Sequence, residues 1–465
     1  MKPLPPRVVT PRHWLLGPVY HVRRDPLHWI PVLAKEYGDI FMIKAPSGSA
    51  AIVTSPELAR DVLVDHHARY QEKSIAYGVL RILMGEGIVT SGGALWRRQR
   101  KLVQPAFHRR RIEALFGLMH ERVEACAERL AALSRSGAPI DVAPLLSQLT
   151  LDIIARAMFS SDVRAAAADV TRHIALLNEQ ALRLLRQPWL FLVPQRILAL
   201  FQPGPARSLA SLNRIVQGII EERRRHTGAH DDLLEMLLQP DEDGSGERMS
   251  DAQLRDEVMT IFVAGHETTA NAMAWILLLV AQHPEVEEQL VAEIDGKWPA
   301  GGLSLATLGE FPYARQVIEE SLRVYPTIWS VGRRATEDDE LGGYRIPAGM
   351  NLLVPIFYFH WSERFWPEPQ RFDPSRFAQS GSAGERRSAV DPMVYFPFGA
   401  GPRACIGAQF AMQELLILTL ALYRRFVFRV PKGASVEADP LITLRPKHGM
   451  PLVVEARRPL SWSPS

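Results

Sequence analysis

The sequence predicts a mainly α chain with a small β region, an α+β architecture, and three observations carry that reading. Between residues 56 and 238 apolar positions recur at helical spacing almost without interruption. Residues 258–280 form the longest apolar stretch, far longer than a strand. Short segments of strand character cluster at the two ends of the chain. Strands so far apart in sequence can share one small sheet, so a single domain over residues 1–465, with an N-terminal arm at 1–25, is expected.

Composition narrows the possibilities. At 465 residues and 47% hydrophobic, the chain can bury a large core. Lys+Arg 54 against Asp+Glu 51 gives a net charge of +3, so no nucleic-acid partner is indicated. Two cysteines cannot build a disulfide framework, and a reduced, cytoplasmic setting is expected. The start, Met1-Lys2-Pro3-Leu4-Pro5-Pro6, has no hydrophobic segment of signal-peptide length. Gly265, His266, Glu267 and Asn271 interrupt the 258–280 stretch, which reads as a buried helix and not a membrane span.

In chain order, residues 38–45 and 49–54 read as two strands bridged by Pro46-Ser47-Gly48. The helical region from 56 to 238 is punctuated at 85–93, at Pro139 and at 203–205. Residues 239–247 are a polar loop, after which Ser250 and Gln253 resemble a capping box opening the long helix. Beyond Pro326, residues 340–346 and 351–355 read as strands and 378–389 as an exposed loop. A last strand pair, 442–444 with 452–456, is expected to turn at Lys447-His448-Gly449.

The most specific segment is Phe398-Gly399-Ala400-Gly401-Pro402-Arg403-Ala404-Cys405-Ile406-Gly407, which runs straight into a helical pattern. Gly399 and Gly401 permit tight turns, and Gly407 allows close approach of a flat group. N–H groups at the start of the next helix can face the sulfur and favour its thiolate. This loop resembles the haem-ligand loop of the cytochrome P-450 superfamily, in its soluble bacterial-type form. The resemblance implies haem b (iron protoporphyrin IX), with Cys405 as axial iron ligand and Phe398, Gly399, Arg403 and Gly407 around the cofactor. Cys126 sits in a plain helical run and reads as structural.

Ala264-Gly265-His266-Glu267-Thr268-Thr269 lies midway along the long helix, which the resemblance lays across the haem. Ala264 and Thr268 share a helix face, and the Thr268 hydroxyl can bond the Ala264 carbonyl and bend the helix. Small residues there leave room for the cofactor. A buried carboxyl at Glu267 is costly unless it works or is paired. With Thr268 it resembles the family's proton-relaying acid–alcohol pair, and these two are the catalytic candidates. His266 is expected to point away from the haem.

Trp96 and Arg100, four apart on one helix, can both donate to a haem propionate, as similar pairs do in the family. Arg403 is a third donor and Arg333 a fourth, with neighbouring Arg334 as its alternative. Cations left over at 97–101 and 108–111 are expected to form a basic collar that steers an acidic electron donor. Glu320 and Arg323 resemble the Glu-x-x-Arg motif, with Arg371 as its partner in a structural triad. The substrate pocket is expected to involve residues 82–89 and 182–192, Phe262, Ala264, the 327–331 segment with Thr327, Trp329 and Val331, and Ile442-Thr443. Arg183 and Arg186 either anchor a carboxylate or form a surface helix face.

The resemblance spans about residues 26–457 and implies a monooxygenase. Such an enzyme activates dioxygen with two electrons and inserts one oxygen atom into a C–H or C=C bond of a lipophilic substrate, terpenoid or fatty-acyl. No flavin or nicotinamide module fits beside the haem domain, so a separate ferredoxin or flavodoxin with its NAD(P)H reductase is expected to serve a monomeric enzyme. A peroxide-driven peroxygenase is the first rival, which Glu267-Thr268 argues against. A non-catalytic haem-thiolate ligand sensor is the second, and it would need no proton relay.

Overall fold

In the computed structural model the long helix is Asp251–Gln282, 32 residues, or about 48 Å of axis. Residues 7–9, 19–45, 48–74, 77–186, 203–226, 228, 230–240, 248–378 and 390–457 are described. Residues 46–47, 187–202, 241–247 and 379–389 lie outside them, as do the side chains at 181–186, so the expected pocket segment 182–192 and the alternatives for Arg183 and Arg186 fall outside the described residues.

Ser250 caps the central helix by accepting from the Gln253 N–H at 3.2 Å. The helix is buried almost all round, which no amphipathic surface helix would be. It packs most extensively on the helix Ala143–Phe159. A Cβ on Gly265 would meet Ile154 Cγ1 at 2.7 Å, so the absent side chain sets that approach. On another side lies Ala408–Arg425, which starts three residues after Cys405 and brings Thr419 Oγ1 to within 3.9 Å of Met273 Sδ. The cysteine loop is thereby fixed relative to the central helix.

A five-stranded sheet joins the two ends of the chain in the order Arg7–Val8, Ile40–Ala45, Gly48–Val53, Asn351–Val354, Val331–Arg334. Ala50 pairs with Asn351 in parallel, across 301 positions of sequence. Two expectations change. Residues 340–346 form a hairpin, Asp339–Leu341 with Tyr344–Ile346, because Gly342 and Gly343 both adopt positive φ at its turn. The last two strands do not pair with each other. Leu444–Pro446 pairs with Ala438–Pro440, and Pro451–Ala456 with Phe426–Arg429 and Ile140–Asp141. The alternation in 452–456 marks a strand but carries no information about its partner. No described helix is long and apolar enough to cross a membrane.

Candidate functional site

The cysteine loop is built by its glycines. Gly399 has φ +73° and Gly401 φ +71°, and a Cβ on Gly401 would lie 1.9 Å from the Leu63 carbonyl oxygen. The Cys405 N–H donates to the Phe398 carbonyl at 2.8 Å, and Ala404 N–H to Gly401 at 2.9 Å, closing the loop on itself. Cys405 keeps accessible surface although protein surrounds it on all sides, as expected for a side chain in the wall of an interior space. Burial pushes its thiol up, while the Gly407 N–H and the Arg100 guanidinium act the opposite way. A Cβ on Gly407 would sit 4.0 Å from the sulfur and 3.6 Å from Phe107 Cε1, so the glycine leaves clearance between them.

Beside the loop, positive charge gathers without matching acid. Arg333 is buried, and its one hydrogen bond among the described residues goes to the Gly332 carbonyl at 3.0 Å. Arg403 donates to the Ser91 and Gln71 carbonyls and stacks 4.2 Å over the Trp96 ring. Arg100 reaches the Ala404 carbonyl at 3.0 Å. No described acceptor takes the Trp96 indole N–H. Lys73, which the sequence reading missed, joins this group. Burial pushes its ammonium down, and Arg333 and Arg403 add to the effect. Glu72 is the nearby carboxylate that acts on Arg403. One buried and three half-buried cations with so little counter-charge suit a bound dianion, and the two propionates of a haem would fit that need. Arg334 is exposed and donates to Gly349, so alternation along the strand selects Arg333.

On the central helix Ala264, Glu267, Thr268 and Asn271 retain accessible surface in mid-helix, whereas Phe262, His266 and Thr269 are buried. Thr268 Oγ1 donates to the Ala264 carbonyl at 2.8 Å, as expected. His266 Nδ1 lies 3.0 Å from the Phe262 carbonyl on the opposite face. Phe262 is therefore corrected. At about 100° per residue it sits some 200° from Ala264. It is fully buried against Phe159 and belongs to the core, not to the pocket.

The other pocket candidates converge. The Trp329 indole donates to the Leu441 carbonyl at 2.8 Å, and the Leu444 N–H to the Thr327 carbonyl at 2.8 Å. This brings Thr327, Trp329 and Ile442 together on one wall, with Val331 at the start of the adjoining strand. Thr443 of the same turn donates to Glu267 Oε1 at 2.7 Å, and Asn178 donates to Glu267 Oε2 at 2.8 Å. Neither partner carries a sequence signal, because both are single polar residues in apolar or helical runs.

Residues 85–90 are stitched to the central helix. Glu86 N–H donates to Asp256 at 2.8 Å, and Ile88 N–H to Glu257 at 3.1 Å. Burial pushes the Glu257 carboxyl up to about 8. A Cβ on Gly87 would lie 2.0 Å from Thr260 Oγ1.

The acid–base motif behind the loop is found with a different third member. Arg323 spends all five N–H groups: two on Glu320, at 2.7 and 2.8 Å, and one each on the carbonyls of His360, Pro369 and Arg371. The arginine that approaches Glu320 is Arg376, at 3.5 Å, held in a turn capped by Asp373. Arg371 is 65% exposed and pairs with Glu368, so its expected side-chain role is corrected.

The family model for cytochrome P450 matches residues 6–453. Cyclooctatin synthase of Streptomyces melanosporofaciens is 32% identical over 445 residues, covering 93% of this chain and 94% of that protein. Pentalenene oxygenase of Streptomyces avermitilis is 31% identical, covering 96% of each. Among solved structures, the cytochrome P450DA heme domain superposes with a TM-score of 0.83 at 27% identity, covering 98% of both chains.

Proposed function

The chain belongs to the cytochrome P450 family, and on that premise we propose that it holds haem b through Cys405 and oxygenates a lipophilic substrate, with Glu267 and Thr268 supplying protons. The observation that carries this reading is the pairing of an interior, accessible Cys405 with a cluster of buried and half-buried cations that lacks its anion. The haem, when bound, supplies the binding of dioxygen and its two-electron activation.

The chain's own residues do the rest. Cys405 would hold the haem iron through an anionic sulfur, whose charge the Gly407 N–H and Arg100 stabilise. Arg100, Arg333, Arg403, Lys73 and the Trp96 indole would hold the propionates. Ala264 presents only a methyl group. Thr268 spends its proton on the Ala264 carbonyl and keeps its lone pairs free to accept a proton donor. Glu267 lies one residue away as the acid partner of the relay, and this pair supports an oxygenase over a peroxide-driven enzyme or a ligand sensor.

Ala264, Thr327, Trp329, Val331 and Ile442 form a largely apolar pocket wall, suited to a greasy ligand. Relatives named for cyclooctatin synthesis and pentalenene oxygenation favour a terpenoid over a fatty-acyl substrate. Exposed Arg97, Lys101, Arg109 and Arg110 give the segment next to the cysteine loop a positive face for an acidic ferredoxin or flavodoxin. The enzyme acts as one monomeric domain in the cytoplasm, fed by that donor's NAD(P)H reductase. Titrating the holoprotein with terpenoids and fatty acids, while following the Soret band, tests the substrate class. A saturable spin-state shift with terpenoids is expected, and a shift confined to fatty acids would reverse the preference.

A further inference from the structure

Both oxygens of Glu267 are occupied, and neither partner belongs to the central helix. Oε2 accepts from Asn178 Nδ2 at 2.8 Å, and Oε1 accepts from Thr443 Oγ1 at 2.7 Å. Asn178 and Thr443 are themselves buried. The two holders differ in how they are fixed. The Leu441–Leu444 turn is pinned by the Trp329 indole, by the Trp275 indole at 3.0 Å, and by the Leu444 N–H on Thr327. Asn271 on the central helix lies 3.3 Å from Thr443 Oγ1 as well, so that hydroxyl receives one hydrogen bond while giving another to Glu267. Asn178 rides on the helix Ala167–Arg186, which packs on Ala143–Phe159, Pro203–Arg225 and Tyr77–Met84. Among the described residues, the Asn178–Glu267 bond is the one hydrogen bond joining that helix to the central one.

We propose that Asn178 and Thr443 are positioning residues that orient the Glu267 carboxyl for proton delivery, making the relay depend on where the Ala167–Arg186 helix sits. The proposal deepens the proposed function and rests on its acid–alcohol pair. A carboxylate takes hydrogen bonds only as acceptor, and the amide of Asn178 and the hydroxyl of Thr443 each supply a donor. Removing either frees one oxygen, and the side chain then samples rotamers that do not serve Thr268. Asn178→Asp would face one carboxylate with another and should be worse than Asn178→Ala.

Styrene serves as the probe, with ferredoxin, its reductase and NADPH as one route to styrene oxide. The second route replaces dioxygen and electrons by iodosylbenzene, which transfers its oxygen and leaves iodobenzene, with no proton consumed. Asn178→Ala and the near-isosteric Thr443→Val should each lower the yield of epoxide per NADPH about threefold to tenfold relative to the iodosylbenzene route. Asn178→Ala in a Glu267→Gln background should add nothing further. Amide hydrogen exchange of the haem-free protein across 167–186 should quicken in Asn178→Ala. An unchanged ratio of the two routes in both variants overturns the proposal, as does a fall in both routes together or unaltered exchange. If Glu267→Gln alone leaves the ratio at the wild-type value, the acid–alcohol reading falls and takes this inference with it.

Discussion

Replacing Glu320 by Gln removes the counter-charge from the most deeply buried ion pair behind the cysteine loop. Glu320 and Arg323 are both 0% exposed, and Glu320 also accepts from the Asp373 N–H at 2.9 Å. Gln keeps the shape but offers a single acceptor oxygen, so in either orientation its amide faces an Arg323 N–H, and in one of them the Asp373 N–H as well. The buried guanidinium of Arg323 then has no compensating charge, and Arg376, 11% exposed, loses its partner too. Breaking a buried pair in this way costs about 3–5 kcal/mol. Arg376→Ala removes one longer charged contact and a bond to the Glu368 carbonyl, worth about 1–3 kcal/mol. Arg371→Ala leaves the carbonyl that Arg323 uses in place and removes only an exposed pair at 3.5 Å, worth less than about 1 kcal/mol. Urea unfolding followed by tryptophan fluorescence reads the order directly. With m of about 3 kcal/mol/M or more, Glu320→Gln should lower the midpoint by about 1 M, and Arg371→Ala should leave it nearly unchanged. Equal midpoints for Glu320→Gln and wild type, or an Arg371→Ala loss as large as that of Arg376→Ala, would refute the assignment.

Three further perturbations bear on the site. Gly401→Ala forces a Cβ into the Leu63 carbonyl at a positive φ, so the haem-to-protein ratio of the purified variant should fall well below that of wild type. Glu257 has its carboxyl raised from an ordinary 4.5 to about 8, so the folded state holds a proton that the unfolded chain has released. Its contribution to stability is present at pH 4.5 and lost as pH rises toward 8; urea midpoints across that window should slope downward in wild type and flatten in Glu257→Gln. Thr268→Ala should keep its haem while product per NADPH drops roughly tenfold or more in favour of peroxide, and unchanged coupling would take Thr268 out of the relay.

What was legible in the sequence was whatever a fixed spacing enforces. The glycines around Cys405 are required by positive φ and by a close backbone approach, so they announce the loop. Thr268 and Ala264 are four apart on a helix, and their contact follows from its pitch. The same pitch should have kept Phe262 out of the pocket, since its angular distance from Ala264 was available from numbering alone. Arg371 was mistaken for Arg376 because the segment between Pro369 and Phe377 is aperiodic. Which arginine turns inward depends on the 3₁₀ turn that Asp373 caps. Lys73, Asn178 and the bond to Glu267 from Thr443, a residue expected only in the pocket wall, were missed for a shared reason. Each meets its partners across 89 or more positions of sequence, or through side chains from separate elements, and no local pattern encodes such a meeting.

Every proposed role in the site presupposes a bond between the Cys405 sulfur and haem iron. The direct measurement is the absorption spectrum of the dithionite-reduced holoprotein under carbon monoxide, compared with Cys405→Ser. Wild type should give the red-shifted Soret band after which the family is named, and the variant should lack it while remaining folded. A folded, haem-loaded wild type without that band, or a Cys405→Ser protein that retains it, would contradict the claim.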